Sequence, residues 1–176
     1  VETAKGLKKN PSLVRLEEKL GFRSSFNFVP ERYDTPVELR HFLTSKGFEV
    51  GVHDLNHDGK LYKTREIFQQ RAVRINHYLK EWNAVGFRSA AMHHNLEWLH
   101  GLDIQYDAST FDTDPFESQS DGMRTIFPFW VQSKAPLHHY VELPYTLPQD
   151  FTLFILMREQ TIDIWKKKLD WLVAYG

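Results

Sequence analysis

Two histidines four positions apart, His53 and His57, stand in the stretch EVGVHDLNHDGK. Imidazole is a borderline ligand that suits zinc and similar divalent ions. At i, i+4 in a helical turn two such rings face the same way. The chain holds nine histidines in 176 residues, so the spacing alone fits two polar residues on a solvated turn equally well. The position is more telling. His53 directly follows FEVGV, which reads as a buried strand.

Three further polar groups stand at strand ends. Arg88 follows AVGF and could clamp a carboxylate bidentately, or make an ordinary strand-end ion pair. Asp107 follows DIQY and could equally serve an Asx-type turn. Glu142 lies inside HYVELPY, where an acid in an apolar strand implies a barrel interior, a partner charge or an edge face. Other features have bland readings. His93 and His94 precede a helix that Asn95 can cap. His138 and His139 stand before a strand, at the end opposite the expected site. The acidic run DTDPFE reads as a solvated loop. An EF-hand would need glycine where Glu117 stands and glutamate where Met123 stands. The chain shows no Walker loop, glycine-rich nucleotide fingerprint or GxSxG elbow.

The elements that must position these groups alternate. Helices are expected at PSLVRLEEKL, at TPVELRHFLTSK with Thr35 as N-cap, at Lys63 to Trp82, at HNLEWLHGL and at Thr161 to Val173. Strands are expected at 24–29, 48–52, 84–87, 103–107, 125–130 and 139–145. Alternation of this kind argues for βαβ units, a parallel sheet or barrel and a single domain over residues 1–176. In such folds ligands bind beyond the carboxyl ends of the strands.

Composition sets the outer bounds. The chain is 41% hydrophobic and 26% charged, as an ordinary globular domain is. A net charge of −1 with no basic block gives no electrostatic footprint for nucleic acid. The absence of cysteine excludes disulfides, thiolate ligands and a cysteine nucleophile. The apolar run FTLFILM is too short to span a bilayer, and no signal peptide opens the chain. A cytoplasmic location is the expectation, with secretion left open. The first residue is Val1 rather than methionine, as in a processed or excised piece.

Taken in order, HxxxH, arginine, Tyr-Asp and Glu-x-Pro resemble the polysaccharide deacetylase (NodB-homology) family. GFEVGVHDLNH looks like its second motif, GFRSAAM its third, with Ala90 where the family has proline, and YDAS its fourth. The resemblance implies an α/β fold, a deformed seven-stranded (β/α) barrel incomplete at both ends. It implies a divalent metal, zinc by preference, held by His53, His57 and Glu2. It gives Arg88 the task of tuning a carboxylate base and Asp107 that of orienting an acid histidine. The base would lie before Val1 and the histidine beyond Gly176. The implied function is metal-dependent hydrolysis of an N- or O-acetylated carbohydrate, or of another non-peptide C–N bond. The ion would lower the pKa of its water from ~15.7 towards ~7. The alternative is an inactive carbohydrate-binding or structural barrel that retains a partial metal site.

Overall fold

The computed structural model describes residues 1–114, 119, 121–133 and 139–175. Helix α1 (Ala4–Leu20) leads into β1 (Ser25–Phe28), α2 (Val37–Ser45), β2 (Glu49–His53), α3 (Arg65–Trp82) and β3 (Gly86–Arg88). A 3-10 turn at Ala90–Met92 precedes α4 (Leu96–Leu99) and β4 (Tyr106–Asp107). Then come β5 (Phe129–Val131), β6 (Tyr140–Glu142), a π-helical segment Phe151–Leu156 and α5 (Asp163–Tyr175). The strands form one sheet in the order β1-β2-β3-β4-β6-β5. All pairs are parallel except β5 with β6. The fold is mixed α/β. Among the described residues the sheet has six strands, and β1 and β5 end its hydrogen-bonded order. No described helix is long and apolar enough to cross a membrane.

Side chains alternate across a strand, so the register sorts them into two faces. One face carries Phe26, Phe28, Val50, Val52 and Phe87, all buried. They share a core with Phe68, Ala72, Ile75 and Leu79 of α3. The 3.6-residue period of α3 put those four on one side, and Thr64 caps the helix by accepting from Ile67 N at 3.2 Å. The other face carries Ser25, Asn27, Glu49, Gly51, His53, Gly86, Arg88 and Tyr106. The Tyr106 ring fills the space over Gly86, where a Cβ would come within 2.2 Å of it. Its hydroxyl donates to Glu49 Oε1 at 2.8 Å.

Several elements depart from the sequence expectation. Helix α1 starts at Ala4, seven residues early, because Thr3 caps it through Gly6 N at 3.1 Å. Thr35 does not cap α2; Pro36 holds that position, and Thr35 Oγ1 is buried without a partner. The strand expected at 125–130 forms only from Phe129, beyond Pro128, which has no N–H to pair. Helix α5 buries none of its side chains, so Ile162 and Leu169 of its apolar stripe stay exposed. The acidic run is not a solvated loop at its start. Asp112 accepts from Lys168 Nζ at 2.5 Å, Asp114 from the Tyr145 hydroxyl at 3.1 Å, and both are buried. The rest of that run, like His138, lies outside the described residues. Asn95 caps α4 through Trp98 N at 3.1 Å, as its place before the helix implied.

The two strand-end acids lie on the core face. Asp107 pairs in register with Phe87 and with Glu142, and both acids are fully buried. Ser109 N and Oγ donate to Asp107 at 3.0 and 2.7 Å. Thr110 N and Oγ1 donate to Glu142 Oε1 at 3.0 and 2.6 Å. Burial first, and then the neighbouring Asp107 charge, push the Glu142 carboxyl far up. Burial also raises Asp107, against the neighbouring Glu142 and the hydrogen bonds it accepts from Ser109. Glu142 therefore keeps its proton at neutral pH, beside the Asp107 carboxyl. An acid raised in the fold ionises first in the unfolded chain. Stability is then full below the ordinary glutamate pKa and falls as pH rises, by up to about 1.4 kcal/mol per unit. Glu142→Gln mimics the protonated acid and has no proton to lose. Thermal melts at pH 5, 7 and 9 should show a shallower decline for the variant, with its advantage over wild type growing towards pH 9. Parallel pH profiles for the two proteins would refute a protonated Glu142 in the fold.

Candidate metal centre

His53 is the last residue of β2, level with Arg88 at the end of β3. Its Nδ1 lies 2.8 Å from the Arg88 carbonyl oxygen. A carbonyl only accepts, so Nδ1 carries the hydrogen and Nε2 keeps its lone pair. The link to His57 is not a helical turn. Asp54 and His57 take left-handed backbone (φ 57° and 55°), and the loop doubles back over the buried Leu55. Leu55 N donates to Asp54 Oδ1 at 2.6 Å, which fixes the start of that loop. The rings meet edge to face with centroids 4.9 Å apart.

Glu2 completes the cluster. Its Oε1 lies 3.4 Å from His57 Nε2 and 3.9 Å from His53 Nε2. The approach depends on Val1, whose nitrogen donates to the Asn27 carbonyl at 2.5 Å. The Tyr33 hydroxyl donates to the Val1 carbonyl, and Thr3 then starts α1. The His53 and His57 imidazoles facing Glu2 hold its carboxyl well below the usual carboxylate range. Glu2 raises His57 in turn, while burial lowers His53.

The donor set fits a divalent ion. All three ligand atoms lie within 4.8 Å of one another. Two atoms each ~2.1 Å from a tetrahedral zinc are about 3.4 Å apart. The Glu2–His57 pair is already at that distance, the Glu2–His53 pair at 3.9 Å, and a pair at the 4.8 Å limit would have to close by roughly 1.4 Å. His57 Nε2 is buried, and its 3.4 Å approach to Glu2 Oε1 is not a well-formed hydrogen bond, so a cation between the two would satisfy both. Two imidazole nitrogens and one carboxylate are also a common zinc ligand set with room for water or substrate.

These groups line a groove of about 710 Å³ at the carboxyl ends of the parallel strands. Arg88 lines it too, its guanidinium carbon 5.7 Å from the Tyr145 ring centroid. Asp107 does not border this groove, since it sits on the core face. After β3 the wall is the strained turn at Ala91 and Met92, both left-handed (φ 51° and 52°). The opposite wall is Gln149 to Thr152, which sequence reasoning missed. They follow the last parallel strand, so the strand-end rule pointed to them, but they read only as the front of an apolar run.

No family model matches the chain, and no curated protein matches it. Among solved structures it is similar to a crystal structure described as a putative polysaccharide deacetylase from Mycobacterium smegmatis. The TM-score is 0.63 at 17% identity, over 91% of this chain and 57% of that one. At that identity the likeness is one of fold, and the chain spans 57% of that protein's length.

The cluster makes a direct prediction. Dialysed against zinc and then buffer, the wild-type protein should retain one ion. His53→Ala and His57→Ala should each weaken zinc binding by at least about 100-fold, more than loss of an outer hydrogen-bond partner does. Equal zinc content in all three proteins would rule out the site.

Proposed function

We propose that the chain is a metal-dependent hydrolase that removes acetyl groups from an N- or O-acetylated carbohydrate. The observation that carries this is the Glu2–His53–His57 cluster, in a groove beyond the carboxyl ends of the parallel strands. A polysaccharide deacetylase-type fold supports the reading as an analogy. When bound, a zinc ion supplies Lewis acidity towards an acetyl carbonyl and towards water.

The chain's own residues would divide the remaining work. His53 presents Nε2 to the ion, because Arg88's carbonyl holds its other nitrogen. His57 and Glu2 bring the second nitrogen and the negative charge. The Arg88 guanidinium, in the same groove, would hold ionised a proton-accepting carboxylate that is neither Glu2 nor Asp150. In this reading Asp107 acts from beneath. It fixes Ser109, whose hydroxyl accepts from Ser89 N at 2.8 Å, and so positions the turn that follows Arg88.

One observation favours a second reading, a carbohydrate-binding barrel that keeps a metal but does not catalyse. Among the described residues bordering the groove the carboxylates are Glu2 and Asp150. Glu2 faces the histidines, and Asp150 accepts from Phe151 N at 2.8 Å. Acetate release decides between the two. Zinc-loaded protein incubated with N-acetylated oligosaccharides should liberate acetate. His57→Ala should lower the rate at least about 100-fold, and Arg88→Ala by a comparable factor, the usual scale for losing acid–base assistance. Sugar binding without acetate release would favour the second reading.

A further inference from the structure

We propose that Gln149 to Thr152 form a sugar-binding rim, with Phe151 as the aromatic platform on which a pyranose ring of the substrate stacks. This deepens the hydrolase reading, since it names what the far wall of that groove recognises.

The first support is that the segment is pinned. Leu153 N donates to Gln149 O at 2.9 Å, and Met157 N to Thr152 O at 2.9 Å. Asp150 caps the first turn through Phe151 N. From α5, Trp165 Nε1 donates to Pro148 O at 2.7 Å, and its ring meets Phe154 edge-on at 5.6 Å. Thr152 and Leu153 are 3% and 0% exposed. Phe151, on this same fixed backbone, is 57% exposed. Its exposure is therefore not fraying. A large apolar side chain held out of the core by an ordered backbone forgoes burial that a ligand can restore.

The second support is where the ring lies. Phe151 borders the groove that also holds Glu2, His53, His57 and Arg88. Phe154, one turn on, already has Trp165 as its partner, whereas among the described residues no aromatic ring packs on Phe151. A volume of about 710 Å³ is in the range that takes a whole small ligand rather than an acetyl group alone.

The third support is chemical. A pyranose has an apolar C–H face and an edge of hydroxyls. The rim offers one aromatic face beside an amide, a carboxylate and a hydroxyl, from Gln149, Asp150 and Thr152. A long acyl chain would meet too many polar groups here. At the rim itself an anionic ligand would face Asp150, with Arg88 on the other side of the groove. A neutral N-acetylated sugar satisfies both halves of the lining.

The test uses the N-acetylglucosamine tetramer, titrated into metal-free protein by calorimetry so that binding is read without catalysis. Phe151→Ala should weaken binding roughly tenfold, the effect of losing one aromatic contact of about 1.4 kcal/mol. Phe151→Trp, with a larger face, should keep wild-type affinity or exceed it. Melting curves and zinc content report that each variant is folded with its metal site intact. If Phe151→Ala proves unstable, Phe151→Leu keeps the bulk without the ring and should show the same loss. Wild-type affinity in the folded Ala or Leu variant would overturn the proposal, as would failure of the wild type to bind the tetramer. The two readings fail separately. A protein that hydrolyses 4-nitrophenyl acetate with zinc but binds no tetramer keeps the hydrolase and loses the rim. Binding that depends on Phe151 with no acetate released keeps the rim and loses the hydrolase.

Discussion

The hydrogen bond from His53 Nδ1 to the Arg88 carbonyl carries the site. That oxygen also accepts from Asp54 N at 3.0 Å, so one carbonyl ties together the ends of two parallel strands and the start of the histidine loop. It selects the tautomer of His53 and aims Nε2 at Glu2 and His57. It also exists only in the observed register. Slipping β2 by one residue against β3 would turn His53 to the core face and bring a valine into the groove. The buried face of Phe26, Phe28, Val50 and Val52 opposes that slip, because the same move would expose all its side chains on that strand pair.

The division of faces explains what each strand-end residue can do. The groove face is polar because it is filled locally: Tyr106 stands over Gly86, and Asn27 over Gly51, where a Cβ would come within 2.0 Å of the amide oxygen. Larger residues at those glycines would displace the layer beneath Glu2, His53 and His57. The core face holds Asp107 and Glu142, which survive burial because Glu142 stays protonated and the pair takes four hydrogen bonds from Ser109 and Thr110. Through Ser109 they reach the turn after Arg88, and neither borders the groove.

Much of this was legible in the sequence, for physical reasons that vary by residue. The histidine pair gained meaning from its place after an apolar strand, and α3 from its helical period and its threonine cap. Glu2 could be assigned only through resemblance. Its position depends on Val1 meeting Asn27, 26 residues away, and no local pattern encodes that contact. The face of Asp107 was likewise hidden. β4 is two residues long, too short for alternation to show, and register with Phe87 and Glu142 decides it. The apolar run after Pro148 was weighed only as a membrane span. Its pinned backbone and outward Phe151 depend on Trp165 from a distant helix. That helix shows the converse failure, a clear apolar stripe that finds no core among the described residues.

The central claim is that Glu2, His53 and His57 bind one divalent ion in the groove. Anomalous diffraction from a zinc-soaked crystal tests it most directly. The account predicts one strong peak bonded to Nε2 of both histidines and to a Glu2 carboxylate oxygen, at about 2.0–2.2 Å from each. An ordered crystal with zinc elsewhere, or with none between these three side chains, would contradict it.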